Sequence, residues 1–303
     1  MANSLGNLKA TLYERFVQRL GAAVSNYQEL VDVVTTDTPN LQVSDLYGIG
    51  AYHAQSGVAT PTGAGYDDLL SSKSVVSTAV LEKLVKARAV DLRDSKTLAG
   101  EITDQLADAG AWTIANTFWS GWEDLVNQNH PDSTFTVASG TAKFVDTYTG
   151  PVAQGNLMTP AAALTASSLS SARAMLRKYK DKAGKPLALD VRNENLCLVV
   201  PPSLETTARD LVSRTGEVSD GSALYSGSFG GMSILVTPHE TDANNWQLSM
   251  KKASCPVFLW VRQAPKIRIT EMPDTGAVAF YAECEAKLVM KPSEAGAIFS
   301  SPA

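Results

Sequence analysis

Histidine and cysteine are both scarce: three of each in 303 residues. His53, His130 and His239 lie far apart, and no HExxH, HxxxH or H-x-E pattern joins them. That argues against a zinc-type site. Cys197, Cys255 and Cys284 form no CxxC and no dense framework. They read as free thiols of a reducing compartment, and a buried thiol is usually an inert small hydrophobe. Nothing marks a Cys–His nucleophile pair. No apolar run approaches the roughly 18 residues that span a bilayer. The opening MANSLGNLKATLYERF lacks the basic-then-apolar order of a signal peptide. These absences lead us to expect synthesis in a cytoplasm and no membrane partner. Charged residues are 19% of the chain, with a formal net charge of -5. An acidic balance argues against wholesale nucleic-acid binding through the average field. No GxSxG elbow occurs. The glycine-rich SGSFGGMS at 226–233 fits neither nucleotide-loop pattern, and a strand-like run follows it where a phosphate cradle needs a helix. There is no internal repeat, heptad run or extended low-complexity segment.

What is present suits a globular protein with a real core. Hydrophobic residues make up 44%, and the length allows one large domain or two ordinary ones. Leu12, Phe16 and Leu20 recur at four-residue spacing, and Tyr27, Leu30 and Val34 continue the pattern. This predicts amphipathic helix over 8–34. It fits a core helix or an arm, and the polar connector from Asp37 to Leu41 tilts the reading towards an arm. The stretch AQSGVATPTGAG (54–65) is loop-like. After it, KSVVSTAVLEKLVKARAVDL (73–92) is expected to be mainly strand. Asp94-Ser95 then supplies a helix start. Leu98, Ile102, Leu106, Ala109 and Thr113 mark one side of a helix running to about Phe118, roughly 35 Å long. Glu101, Asp104 and Asp108 on that helix read as a solvated face and not as metal ligands, since no histidine accompanies them.

STFTVASGTAKFVDTYTG (133–150) reads as short strands and turns. A second helix is expected to start near Thr165–Ser168, with Leu169, Ala172, Met175, Leu176 and Tyr179 on its apolar side. The basic run RKYKDKAGK (177–185) is the strongest nucleic-acid candidate, and it is also ordinary helix-ending chemistry. Next, NLCLVVPPSLETTARDLVSR (195–214) drives a buried-type strand into two prolines and a helix carrying Leu204, Ala208, Leu211 and Val212. Pro201 and Pro202 remove amides that an oxyanion hole needs, and only Ser203 is a nucleophile there. The junction is a rigid corner, not a catalytic turn. MSILVTP, NNWQLSM, CPVFLWVRQAPKIRIT and AVAFYAECEAKLVM follow as strands, and KPSEAGAIFSSPA as a tail.

The order of these parts resembles a tailed-bacteriophage major capsid protein with the Hong Kong 97-like fold, and most of all the Mu-like major head subunits. LVVPPSLETTARDLV and NWQLSMKKASCPVFLWVRQAPKI carry the resemblance most specifically. It implies an α+β fold with an N-terminal arm over 1–44, an extended β-hairpin loop over 45–93 and a peripheral domain with a long spine helix over 94–155. It further implies an axial domain over 156–269, then return strands and a C-terminal tail over 270–303. Subunit contacts are then expected at Leu12 and Phe16 of the arm and at Gly57, Thr60, Gly63 and Gly65 of the hairpin tip. Lys86 and Arg88 in the same loop, and Tyr225 and Phe229 in an axial loop, complete the set.

The resemblance implies no enzyme activity, catalytic residue, metal or cofactor. It implies self-assembly into hexamers and pentamers, forming a virion shell assembled in a host bacterial cytoplasm. Packaged double-stranded DNA is held without sequence-specific binding, and a separate scaffold, a portal and a decoration protein are the expected partners. Lysine crosslinking is not expected. An encapsulin-type compartment shell is the alternative within the fold, and a soluble α/β hydrolase the alternative outside it.

Overall fold

The computed structural model describes residues 2–22, 26–38, 40–47, 70–95, 97–126, 158, 160–179, 189–213, 229–240, 242–272, 275–290 and 297–300. In chain order the elements are α1 (Ala2–Ala22), β1 (Val33–Thr35), β2 (Asn40–Tyr47), β3 (Leu70–Ser77), β4 (Leu81–Arg88), α2 (Ala89–Asp94) and α3 (Leu98–Val126). Then come α4 (Ala166–Lys178), β5 (Leu196–Val200), α5 (Glu205–Ser213), β6 (Ser233–Val236), β7 (Trp246–Met250), β8 (Val257–Met272), β9 (Ala277–Met290) and β10 (Ala297–Ser300).

The unbroken apolar run of β5 has a physical cause: the strand faces two cores at once. Leu196, Leu198 and Val200 enter a core with Leu169, Ala172, Leu176, Trp246 and Ile298. Cys197 and Val199 enter another with Tyr27, Phe118, Trp119, Trp122 and Trp260. A strand buried on both faces loses the apolar–polar alternation of a half-exposed one. Around β5, one sheet runs in the order β10-β7-β5-β6. β5 and β6 are parallel, and the other pairs are antiparallel. Helices α4 and α5 supply apolar side chains to this sheet's core, with Ala208 of α5 fully buried. Thr165 caps α4, and its side chain and that of Ser168 exchange bonds with each other's backbone N–H. That satisfies two donors left free at a helix start. Pro201 and Pro202 turn the chain as expected, and the Ser203 hydroxyl donates to the Ala243 carbonyl at 2.6 Å, tying the corner down.

The other large sheet has the order β1-β8-β9-β4. β1 runs parallel to β8, while β9 pairs antiparallel with both β8 and β4. Helix α3 lies across it. It has 29 residues, about 44 Å of rise, and runs eight residues beyond the expected stop at Phe118. Beyond that point the Phe118, Trp119 and Trp122 cluster packs the helix into the core that Cys197 and Val199 share. Two glycines let the helix lie close. A methyl group at Gly110 would sit 3.0 Å from Pro265 Cβ, and one at Gly121 would sit 2.9 Å from Leu288 Cβ. Strands β2 and β3 form a separate antiparallel hairpin, in register from Asn40↔Ser77 to Tyr47↔Leu70.

Several expectations shift. The described part of the hairpin is Asn40–Tyr47 with Leu70–Ser77, while β4, placed within 45–93, is instead an edge strand of the larger sheet. Its side chains Val85 and Ala87 pack against Phe280 and Ile267 there. Sheet membership changes between Met250 and Val257, ahead of residue 269. The C-terminal segment is not only a tail: Ala297–Ser300 adds β10 to β7, with Ala297 and Ile298 fully buried. Ser300 further exchanges bonds with Ala162, donating to its carbonyl and accepting from its N–H, both at 3.0 Å. Residues 133–150, the tip at 54–65 and the basic residues beyond Tyr179 lie outside the described residues.

Candidate assembly surfaces

Helix α1 settles the choice between core helix and free arm for this chain's own fold. Leu12 and Phe16 are buried against Ala99, Leu106, Ala107 and Phe280. They form core within one chain. The acidic face of α3 is exposed, as read from the sequence, and it is also ion-paired. Arg15 donates to both Asp104 oxygens at 2.7 and 2.6 Å, and Arg19 to both Asp108 oxygens at 2.7 and 2.8 Å. These bidentate bonds hold both carboxyls below the ordinary value of 3.8. Asp104 and Asp108 are therefore an ion-paired seam, and the sequence carried the signal. Arginines four apart on α1 match aspartates four apart on α3.

Of the other expected contact residues, Lys86 and Arg88 are exposed on edge strand β4. Arg88 turns to Asp91 at 2.9 and 3.0 Å. Charge on an exposed edge discourages strand addition by another chain. Phe229 is buried against the axial-side core, with Arg173 over its ring, so it too serves this chain's interior. Gly57, Thr60, Gly63, Gly65 and Tyr225 lie outside the described residues.

A surface that sequence reasoning missed lies between α3 and the sheet. Leu81, Leu106, Ala109, Trp112, Pro265 and Ala282 help line a cavity of about 220 Å³. Trp112 is 62% exposed at its rim. Asp104, Asp108 and Trp112 follow each other at four-residue spacing, so the tryptophan continues the seam stripe beyond Arg19. An exposed tryptophan beside an apolar hollow is a feature of contact surfaces.

Chemistry outside assembly finds no support among the described residues. Burial pushes the Cys197 thiol up to about 12 and also raises Cys284. Neither is an activated nucleophile. His239 stacks on Trp119 at 6.1 Å with 9° between planes, while His53 and His130 lie outside the described residues. Among the described residues no three His, Cys, Asp or Glu side chains gather as a metal site, and no helix is long and apolar enough to cross a membrane.

A sequence profile of phage capsid proteins matches residues 87–290. The chain belongs to the phage capsid protein family. The matched range runs from the end of β4 through α3, α4 and α5 and strands β5 to β9. No curated protein matches the chain by sequence. Among solved structures, the virus-like particle from Pyrococcus furiosus is similar, with 12% identity, 96% of this chain and 98% of that chain covered, and a TM-score of 0.51. A structure of Mycobacterium phage Adephagia has 11% identity, coverage of 94% and 92%, and a TM-score of 0.54. The holo-SrpI encapsulin complex from Synechococcus elongatus PCC 7942 has 11% identity, coverage of 89% and 84%, and a TM-score of 0.52. The capsid protein has the Hong Kong 97-like α+β fold. In that frame α3 is the spine helix.

Proposed function

We propose that this major capsid protein assembles into hexamers and pentamers that close as the icosahedral head of a tailed phage around double-stranded DNA. The observation that carries this reading is the family match, which takes in the spine helix and strands β5 to β9. Elementary physics agrees. The β2–β3 hairpin is a separate two-stranded sheet, and two strands alone are marginal in water. A neighbouring subunit covers such a hairpin, and closed symmetry gives each copy the same cover. Helix α1 takes the arm position, and the chain between 40 and 77 acts as the extended loop. The sheet β1-β8-β9-β4 with α3 acts as the peripheral domain, and the sheet β10-β7-β5-β6 with α4 and α5 as the axial domain. Gly57, Thr60, Gly63 and Gly65 belong to the tip that meets the neighbour, and Tyr225 to an axial contact. The hollow beside Trp112 receives a neighbouring copy.

The finer affinity is with the Mu-like head subunits, supported by LVVPPSLETTARDLV and the tryptophan–proline pattern after it. A separate scaffold, a portal and a decoration protein are the partners, and the shell forms in the host cytoplasm before becoming the virion. DNA is contained without sequence readout, consistent with the net charge of -5. Sedimentation of the purified protein and of Trp112→Glu tests the contact surface. The parent forms fast-sedimenting particles, alone or co-expressed with its neighbouring genes. The variant keeps its thermal unfolding, since Trp112 is 62% exposed, and stays in small species. Particles of normal yield from the variant contradict the assignment of Trp112.

A further inference from the structure

The hairpin joins the rest of the described fold through two connectors, 36–39 and 78–80. The β1 ladder on β8 stops at Thr35↔Val261, and the β4 ladder on β9 starts at Leu81↔Cys284. Between these points each connector is held by a threonine hydroxyl. On the incoming side, Trp260 Nε1 donates to Thr36 Oγ1 at 2.9 Å. On the outgoing side, Thr78 Oγ1 donates to Glu285 Oε2 at 2.7 Å. Glu285 is only 6% exposed, and Arg262 donates to the same oxygen at 2.6 Å.

The sheet is irregular at this place. β8 shifts register between Val261 and Gln263 and again between Gln263 and Lys266, and Gln263 faces Glu285. Asp37, Arg262, Gln263, Lys266 and Glu285 help line a polar cavity of about 390 Å³. A bulged strand beside an open polar space gives the connectors room to shift without disturbing packed core.

We propose that the Thr36–Trp260 and Thr78–Glu285 bonds form a two-point latch that sets the direction in which the hairpin leaves the main sheet, with Glu285 as its positioning residue. Two attachments on neighbouring strands fix an angle, where one would leave a pivot. Bonds to an ionised acceptor are stronger than neutral ones, so the outgoing attachment is the firmer. The inference rests on the assembly reading for its consequence, because the hairpin's direction then sets how one subunit meets the next.

Hydrogen exchange on the purified full chain tests the latch without reference to assembly. Thr78→Val keeps the side-chain shape and removes the donor, while Glu285 keeps Arg262. Exchange should rise about tenfold in 40–47 and 70–77 and stay at parental rates in 81–88 and 277–290. Thr78→Ser, which keeps the hydroxyl, should restore protection. Thr36→Val repeats the test from the other connector if Thr78→Val does not fold. In particles, the variant should broaden the distribution of diameters. An unchanged hairpin, or a rise spread equally over β4 and β9, overturns the latch. If the parent chain forms no particles either alone or co-expressed with its neighbouring genes, the assembly reading fails, and the exchange result still decides the latch.

Discussion

Arg15 and Asp104 meet across two helices through paired hydrogen bonds of 2.7 and 2.6 Å, and a turn later Arg19 and Asp108 repeat the contact. The two pairs advance together along both helices, so α1 runs in the same direction as α3. Gly100 makes room: a methyl group there would lie 2.5 Å from Arg15 Nη1. Beneath the ion pairs Leu12 and Phe16 supply the apolar contact. Replacing both arginines, Arg15→Ala with Arg19→Ala, should raise hydrogen exchange in residues 9–21 and move global unfolding by only a few degrees. Unchanged exchange in α1 would show that the apolar stripe alone holds it.

The same seam has a defined response to pH. Asp104 and Asp108 are held below 3.8 chiefly by their arginine hydrogen bonds, with Glu101 the further acidic group acting on Arg15. A depressed folded value adds stability above the unfolded value, and that part disappears as pH falls through the folded value. Protection of α1 should therefore stay flat from neutral pH down to the carboxylate range and fall below it. Since the pairs are partly exposed, high salt should weaken them as well. A loss of protection near neutral pH would contradict this origin.

The fit of spine helix to sheet is tested at Gly121. A Cβ there would lie 2.9 Å from Leu288 Cβ and 3.0 Å from its Cδ2, so the helix must move outward. Overpacking costs about 1–3 kcal/mol, against a helix-propensity gain of up to about 1 kcal/mol. Gly121→Ala should lower the thermal midpoint. Gly21→Ala, where a methyl group meets nothing within 4 Å, should not. Equal behaviour of the two variants would sink the close-approach explanation.

Much of the fold was legible in the sequence, and the places where it was not have physical reasons. The corner at Pro201 and Pro202 and the start of α4 at Thr165 depend on local chemistry, and local chemistry is written in neighbouring residues. The segment AVLEKLVKA could be helix by propensity, yet its strand reading holds, and its sheet partner Phe280 lies some 200 positions away. Nothing local names that partner, so β4 was grouped with the hairpin. The seam was missed because carboxylates on a helix look solvated until the opposite helix is known. No periodicity in the sequence singles out Trp112. Only the packed fold shows that it stays outside the core, at 62% exposure.

The C-terminal strand gives a further check. Ile298 is fully buried with Leu198, Trp246 and Leu248, on a strand that a reading from composition makes a tail. Ile298→Ala should cost about 2–5 kcal/mol in denaturant unfolding. A loss well under about 1 kcal/mol would mean that β10 contributes little to the sheet.

The central claim is that this chain builds a shell. Electron microscopy of the purified protein, alone and co-expressed with the genes that neighbour it, tests that most directly. The account predicts rings or closed shells of uniform diameter in at least one of the two preparations. A monodisperse monomer in both would contradict it.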